Sequence, residues 1–274
     1  MRKRMFLFLK YLCKTLPVAI LLFCFGMNYF CKSTGLKNTS GAPPEPVDSG
    51  LSDSDSIELI RVKENVWVHR SSGFFKGEKI PANGLIAVTS KGIVIVDTPW
   101  TEKQTENLIL AVKEKFQKEI SFVIITHAHA DRITGAGIFI KQSVPVYSTS
   151  LTAKEAEKKG FPKPNPKLDL DPRMSLGDTG LEVYYPGQGH TKDNIVVWLP
   201  NTHILFTGCL VKSLESKSLG NIEDANLNAW PMTAKNLLER YPDAEIVVPG
   251  HGDWGKSDLI RHTIRLLNEN SKTE

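Results

Sequence analysis

Two histidines one residue apart, with an aspartate two positions further on, stand at His127, His129 and Asp131 in "THAHADRITG". Three more residues of metal-binding type follow, each beside or close to a glycine: His190 in "GQGHTKDN", Cys209 in "FTGCLVKS" and His251 in "VPGHGDWG". In an extended H-x-H-x-D segment the histidines project to one side and the aspartate faces a second point just beyond. Three neutral imidazoles suit Zn²⁺ and leave a fourth position for water. A carboxylate, a thiolate and an imidazole also suit zinc, and the soft thiolate disfavours Mg²⁺ and Ca²⁺. In that role Cys209 is a thiolate at neutral pH. Taken singly, these residues have bland readings: a buried cysteine is ordinarily a small apolar filler, and a lone histidine is ordinarily structural. Their recurrence at the ends of apolar runs argues for a metal site instead. His69, His203 and His262 lack that context and read as structural or solvated.

The runs that end at these residues read as strands. "FVIIT" leads into His127, "HILFTG" into Cys209 and "EIVVPG" into His251, while His190 lies between "LEVYYP" and "NIVVWLP". Strand ends are rigid and their loops converge, which is where α/β proteins assemble sites. "IELIRV", "VWVH", "GLIAVTS" and "GIVIVDT" add strands in the first half, and "PVYS" a short one. Helical periodicity appears in "TEKQTENLILAVKEKFQKE", with Thr101 as N-cap and Gln104 completing a capping box. "LTAKEAEKKG", "LNAWPMTAKNLLERY" and "KSDLIRHTIRLLNEN" read as further helices. Two β-rich halves that each finish in strand–helix units predict an α/β fold of sheet packed on sheet with helices outside, over residues 57–274.

The N-terminal segment has a different character. "MRKRMFLFLK" is basic and "LPVAILLFCFGM" is a short apolar run, so residues 1–31 read as a signal peptide or lipoprotein leader. Residues 32–56, rich in Pro, Gly and Ser, read as a flexible linker. Cys24 and Cys31 are both candidates for lipidation and a membrane anchor, although each follows a bulky phenylalanine where lipoproteins carry a small residue. An uncleaved anchor is the other reading, but the apolar run is short for a full span. The predicted location is the periplasm, where thiol pairs oxidise. Cys209 is the only cysteine beyond residue 31 and has no internal partner. Residues 1–38 hold seven of the 34 basic residues and no acid, leaving 27 against 30 acidic ones. That balance, with no basic stripe, excludes nucleic acid as the expected partner.

With these segments in view, "THAHADRITG", "GQGHTKDNIVVWLP", "FTGCLVKS", "LGNIEDANLNAW" and "VPGHGDWG" resemble the signature segments of the metallo-β-lactamases, specifically the first, di-zinc subclass of class B. The resemblance runs from about Trp67 to the C-terminal helix. It implies a four-layer αββα sandwich with two zinc ions at one edge. His127, His129 and His190 match the first zinc site, and Asp131, Cys209 and His251 the second. Lys212 matches the residue that pairs with the substrate carboxylate, and Asn221 an amide that helps hold the lactam carbonyl. By residue type alone these two read as an exposed loop lysine and a turn residue. Asp97 and Arg132 match residues that orient the ligands. Thr134 stands where the family commonly shows glycine, and a β-branched side chain there is expected to strain the turn.

The implied activity is hydrolysis of penicillins, cephalosporins or carbapenems by a single chain. Zinc lowers the pKa of a bound water toward ~7, so no serine nucleophile is required, and Asp131 is placed to orient the hydroxide. Other hydrolases of the fold, thioesterases and lactonases, typically carry H-x-H-x-D-H and an Asp after the Thr-Gly turn. Here Arg132 and Cys209 occupy those places. A non-catalytic zinc protein is the second alternative, but closed structural sites normally use four protein ligands. Finally, "HRSSGFFKGEKIPANG", residues 69–84, reads as a long hairpin tip in which Phe74 and Phe75 form a mobile lid over an apolar substrate group. Its alternative is a pair tucked into the core.

Overall fold

The computed structural model describes residues 55–169 and 173–271. The leader read over 1–31 and nearly all of the linker read over 32–56 lie outside the described residues.

Two sheets face each other. The first contains β1 (Glu58–Lys63), β2 (Val66–Phe75), β3 (Glu78–Thr89), β4 (Gly92–Val96), β5 (Ile120–Ile124) and β6 (Val146–Tyr147), hydrogen-bonded in that order. The second runs β11 (Ile246–Pro249), β10 (Ile204–Gly208), β9 (Val196–Leu199), β8 (Thr179–Tyr184) and β7 (Arg173–Leu176). On the outer face of the first sheet lie α1 (Glu102–Phe116), α2 (Ala130–Ile133), α3 (Ala136–Lys141) and α4 (Ser150–Lys158). On the outer face of the second lie α5 (Trp230–Arg240) and α6 (Asp258–Asn270).

Period-two alternation builds these layers directly. Along β3, β4 and β5, Leu85, Val94, Val96, Phe122 and Ile124 turn inward to the core between the sheets. Their neighbours Ile86, Ile93, Ile95 and Val123 turn outward, against Leu108 and Val112 of α1 and Phe139 of α3. In the second sheet Val197, Ile204, Phe206 and Val248 face inward, while Val196, Leu205 and Val247 meet Trp230 and Leu237 of α5 and Leu259 and Leu266 of α6. Strands covered on both faces read as continuous apolar runs, which is why "FVIIT" and "EIVVPG" show no alternation of polarity. The result is the predicted α/β/β/α sandwich.

The Thr101–Gln104 capping box that starts α1 is present in both directions. Two expectations are corrected. Residues 69–84 are not a long open tip: β2 and β3 stay paired from Val66↔Ala87 to Phe75↔Glu78. The reversal takes only Lys76 and Gly77, at φ +50° and +86°, the left-handed pair a two-residue hairpin needs to match the twist of its strands. Nor does Thr134 strain its turn. It is right-handed helical, at φ −53° and ψ −39°, and its hydroxyl donates to Ala130 O at 2.8 Å.

Candidate metal centre

Five of the six donors follow a strand of a parallel pair, whereas His190 lies in the loop between the antiparallel β8 and β9. β4 and β5 run side by side in one sheet, β10 and β11 in the other. A parallel pair delivers both C-terminal ends to one edge. A hydrogen bond from Asn83 N–H to Gly250 O, 2.8 Å, joins the two sheets there. Gly250 admits no side chain: a Cβ would lie 2.8 Å from both Cys209 Sγ and Arg132 Nη2.

His127, His129 and His190 form a cage, each pair of rings packed edge to face with centroids 4.9, 5.1 and 5.0 Å apart. The H-x-H-x-D segment is not extended as expected. It bends after β5, His129 stands at the N-terminal boundary of α2 without a side-chain capping bond, and Asp131 lies in that single helical turn. The bend swings Asp131 to a second cluster with Cys209 and His251. There Asp131 Oδ2 is 3.2 Å from His251 Nε2 and 3.7 Å from Cys209 Sγ, and Cys209 Sγ is 3.3 Å from His251 Nε2. The two groups are continuous, since the donor atoms of His127, His190 and Cys209 also lie within 4.8 Å of one another, as do those of His127, His129 and Asp131.

These side chains fit zinc. Donor bonds of the usual tetrahedral length imply donor–donor edges of about 3.3–3.7 Å, close to the edges of the Asp131–Cys209–His251 triangle. His129 Nδ1 and His190 Nε2 approach to 3.1 Å, within hydrogen-bond distance and slightly inside such an edge. His127 Nε2 is buried with no hydrogen-bond partner, which normally carries a desolvation cost. The opposite ring nitrogens of three of the four histidines are held by the protein, while His190 Nδ1 is buried without a hydrogen-bond partner among the described residues. His251 Nδ1–H donates to Pro81 O at 2.7 Å, His127 Nδ1 meets Thr126 Oγ1 at 3.1 Å, and His129 Nε2 meets Asp224 Oδ2 at 2.9 Å. Such contacts set the tautomer and aim the free nitrogen.

Burial lowers the pKa of His127 and His190 well below the ordinary imidazole value, with His129 adding to the effect at His127 and Lys212 at His190. Both rings are therefore neutral, the form that ligates metal. Burial also works against charge on His251, but Cys209 and Asp131 beside it push it up to about 9.

Beneath the second cluster lies Arg132, fully buried. It donates to Asn83 O and to Gly250 O, and sits 2.8 Å from Asp131 Oδ2 and 3.6 Å from Asp97 Oδ2. Burial alone raises the Asp131 carboxyl, yet Arg132 and His251 hold it well below the usual range. Asp97 follows β4 in the left-handed region, φ +62°, and accepts the Thr126 N–H and hydroxyl, both at 2.8 Å. Burial pushes its pKa up to about 7 against the pull of Arg132 and Thr126.

A cavity of about 580 Å³ opens above the clusters. Lys212 lines it and is not the exposed loop lysine its type alone suggests: it is 8 % exposed, its Nζ 5.5 Å from the Trp230 ring centre. Burial lowers its pKa, opposed by Cys209 and Asp131, and no carboxylate among the described residues pairs with it. Asn221 and Phe75 also line the cavity. Phe74 is on the other face of the hairpin by strand alternation and is 70 % exposed. It neither lines the cavity nor tucks into the core. Another cavity, of about 650 Å³, is walled by Thr149, Tyr184 and Arg240 and contains none of the donor residues.

Two residues at the site escaped the sequence reading. Asp224 holds His129 and is itself paired with Lys159, which follows α4. Asn83 donates to Pro249 O at 3.1 Å and Gly252 O at 2.7 Å, clamping the turn that carries His251. Asn83 gives no local signal, because its partners are far away in the chain. Asp224 lies within "LGNIEDANLNAW", but nothing there marks the acid as a partner of His129.

Fold and site thus define an α/β/β/α hydrolase scaffold with histidine, aspartate and cysteine donors at one sheet edge. Residues 79–251 match the family described as "Metallo-beta-lactamase superfamily", and the chain belongs to that family. It is 48 % identical over 215 residues to a "Metallo-beta-lactamase type 2" of Bacillus sp. (strain 170), covering 78 % of this chain and 84 % of the relative. The protein of the same description from Bacillus cereus is 47 % identical over 215 residues, with the same coverage. Among solved structures, a metallo-beta-lactamase from Pontibacter korlensis superposes with a TM-score of 0.76 at 40 % identity, covering 78 % of this chain and 99 % of that one.

Proposed function

We propose that this chain is a zinc-dependent β-lactamase that opens the lactam ring of penicillins, cephalosporins and carbapenems and so gives antibiotic resistance. The observation that carries the reading is a cavity lying over six clustered donors and lined by a buried lysine that no carboxylate among the described residues pairs with. His127, His129 and His190 would hold one zinc, and Asp131, Cys209 and His251 a second. Bound there, zinc supplies a Lewis acid and a water acidic enough to be the nucleophile at neutral pH.

The protein groups do the rest. Lys212, with no carboxylate partner among the described residues, binds the carboxylate that β-lactams carry beside the ring nitrogen. Asn221 turns its amide toward the lactam carbonyl and stabilises negative charge as it develops there. Asp131 is kept ionised by Arg132, so it can accept a hydrogen bond from the attacking water and fix its direction. Phe75 offers an apolar surface to the substrate side chain. No side chain needs to form an acyl intermediate.

Export agrees with this activity. Residues 1–31 act as a leader and 32–56 as a tether, placing a monomeric catalytic domain in the periplasm, where β-lactams meet their targets. Cys24 or Cys31 would carry any lipid.

The deciding experiment assays the zinc-loaded chain with a chromogenic cephalosporin, then after chelation, then after zinc is returned. Hydrolysis should vanish and recover. Turnover that survives chelation, or a zinc-loaded protein that cleaves thioesters and lactones but no β-lactam, would overturn the proposal.

A further inference from the structure

Two walls of the cavity are tied together by one ion pair. The hairpin tip supplies Phe75, Lys76 and Ile80, and the loop after β10 supplies Lys217, Gly220 and Asn221. Across them, Lys76 Nζ lies 3.0 Å from Glu223 Oε1. Both side chains are 67 % exposed, so as a stability device the pair is worth little. Its placement gives it a different use.

Each partner is joined to a residue that faces the cavity. Lys76 Nζ sits 5.3 Å from the Phe75 ring centre, a cation–π contact that biases the position of that ring. Glu223 donates its backbone N–H to Asn221 Oδ1 at 3.2 Å, which turns the Asn221 amide. Lys76 itself occupies the two-residue turn at the tip, in the left-handed region, φ +50°. The chain of contacts therefore runs Phe75–Lys76–Glu223–Asn221, from an apolar wall to a carbonyl-binding amide.

We propose that Lys76 and Glu223 form a specificity clasp: closed, it presents Phe75 and Asn221 to the substrate together, and it must part to admit β-lactams with bulky side chains. This rests on the reading of the cavity as a β-lactam site. A closed clasp pre-orders two contacts that otherwise lose freedom on binding, so its benefit appears in KM more than in kcat. Substrates with small side chains gain most, because they bind without opening it.

The test is a double-mutant cycle on the zinc-loaded full chain: Lys76→Met, Glu223→Gln and the double variant. Benzylpenicillin and a chromogenic cephalosporin with a bulky side chain serve as probes. Each single substitution should raise KM for benzylpenicillin about two- to fivefold, the range of an exposed ion pair, and raise it less for the bulkier probe. The double variant should be no worse than either single one. Amide hydrogen exchange should speed up in residues 73–80 and 216–224 together in every variant. Effects that multiply in the double variant, unchanged KM, or exchange that quickens only in the mutated segment would overturn the clasp. If the chain opens no β-lactam, the functional reading fails, and the exchange measurement still decides whether Lys76 and Glu223 couple the two walls.

Discussion

His129 Nε2 lies 2.9 Å from Asp224 Oδ2, while Nδ1 of the same ring faces His190 Nε2 at 3.1 Å. One carboxylate thus selects which nitrogen enters the cage. Lys159 shares that carboxylate, and together with His129 holds the pKa of Asp224 down at about 2. The acid is ionised at any working pH. Asp224→Ala should weaken zinc binding at the histidine cage about 10- to 100-fold, the usual consequence of losing such a partner. Competition with a chromophoric chelator measures this. Unchanged zinc affinity would make the His129–Asp224 contact incidental.

The Asp131–Cys209–His251 triangle should hold a zinc of its own. Metal analysis of the zinc-loaded chain is expected to approach two equivalents. Cys209→Ser replaces a soft thiolate by a poor ligand, so one equivalent should become weak while the other stays tight. Two tightly held equivalents in that variant would remove the cysteine from the ligand set.

Most of this architecture is legible in the sequence, for physical reasons. Strands buried on both faces announce themselves as apolar runs, and donors placed just after them, such as His127 and His251, stand out by type. What escaped depends on approach through space. Asn83 reaches the His251 turn only because β3 crosses the sheet edge beside it. The burial of Lys212 follows from packing against Trp230, not from its own neighbours in "LVKS". The length of the hairpin strands is hidden locally, because Pro81 and Gly84 are poor strand formers. Pairing from Phe75↔Glu78 inward overrides that local preference.

Arg132 offers a test of stability. Its guanidinium is enclosed with Asp97 and Asp131. Removing it takes the guanidinium from two buried carboxylates and, among the described residues, leaves only Asp131 with a remaining ion-pair partner, His251, a loss of about 3–5 kcal/mol for a broken buried pair. Arg132→Ala should lower the urea midpoint accordingly. Arg132→Lys should recover only part of the loss, since one ammonium cannot span Asn83 O, Gly250 O and both acids. Full recovery by lysine would show that charge alone matters there.

Lys212→Ala should mainly raise KM for β-lactams. A charge-assisted contact present in the bound ground state is worth about 1.5–3 kcal/mol, which converts to roughly 10- to 150-fold in KM. The measurement is steady-state kinetics on the zinc-loaded variant. An unaltered kcat/KM would return Lys212 to a purely structural place beside Trp230.

The two phenylalanines of the hairpin should separate in their effects, because strand alternation sends them to opposite faces. Phe75 lines the cavity, so Phe75→Ala removes apolar surface from the substrate's side and should raise KM. Phe74 is 70 % exposed and buries little in the folded chain, so Phe74→Ala should leave thermal stability and KM close to those of the parent. Neither variant should unfold the protein, since neither ring belongs to the core between the sheets. Steady-state kinetics with thermal melts on both single variants checks this. Equal kinetic losses from the two substitutions would mean that the hairpin turns both rings onto the substrate, and that its twist changes when substrate binds.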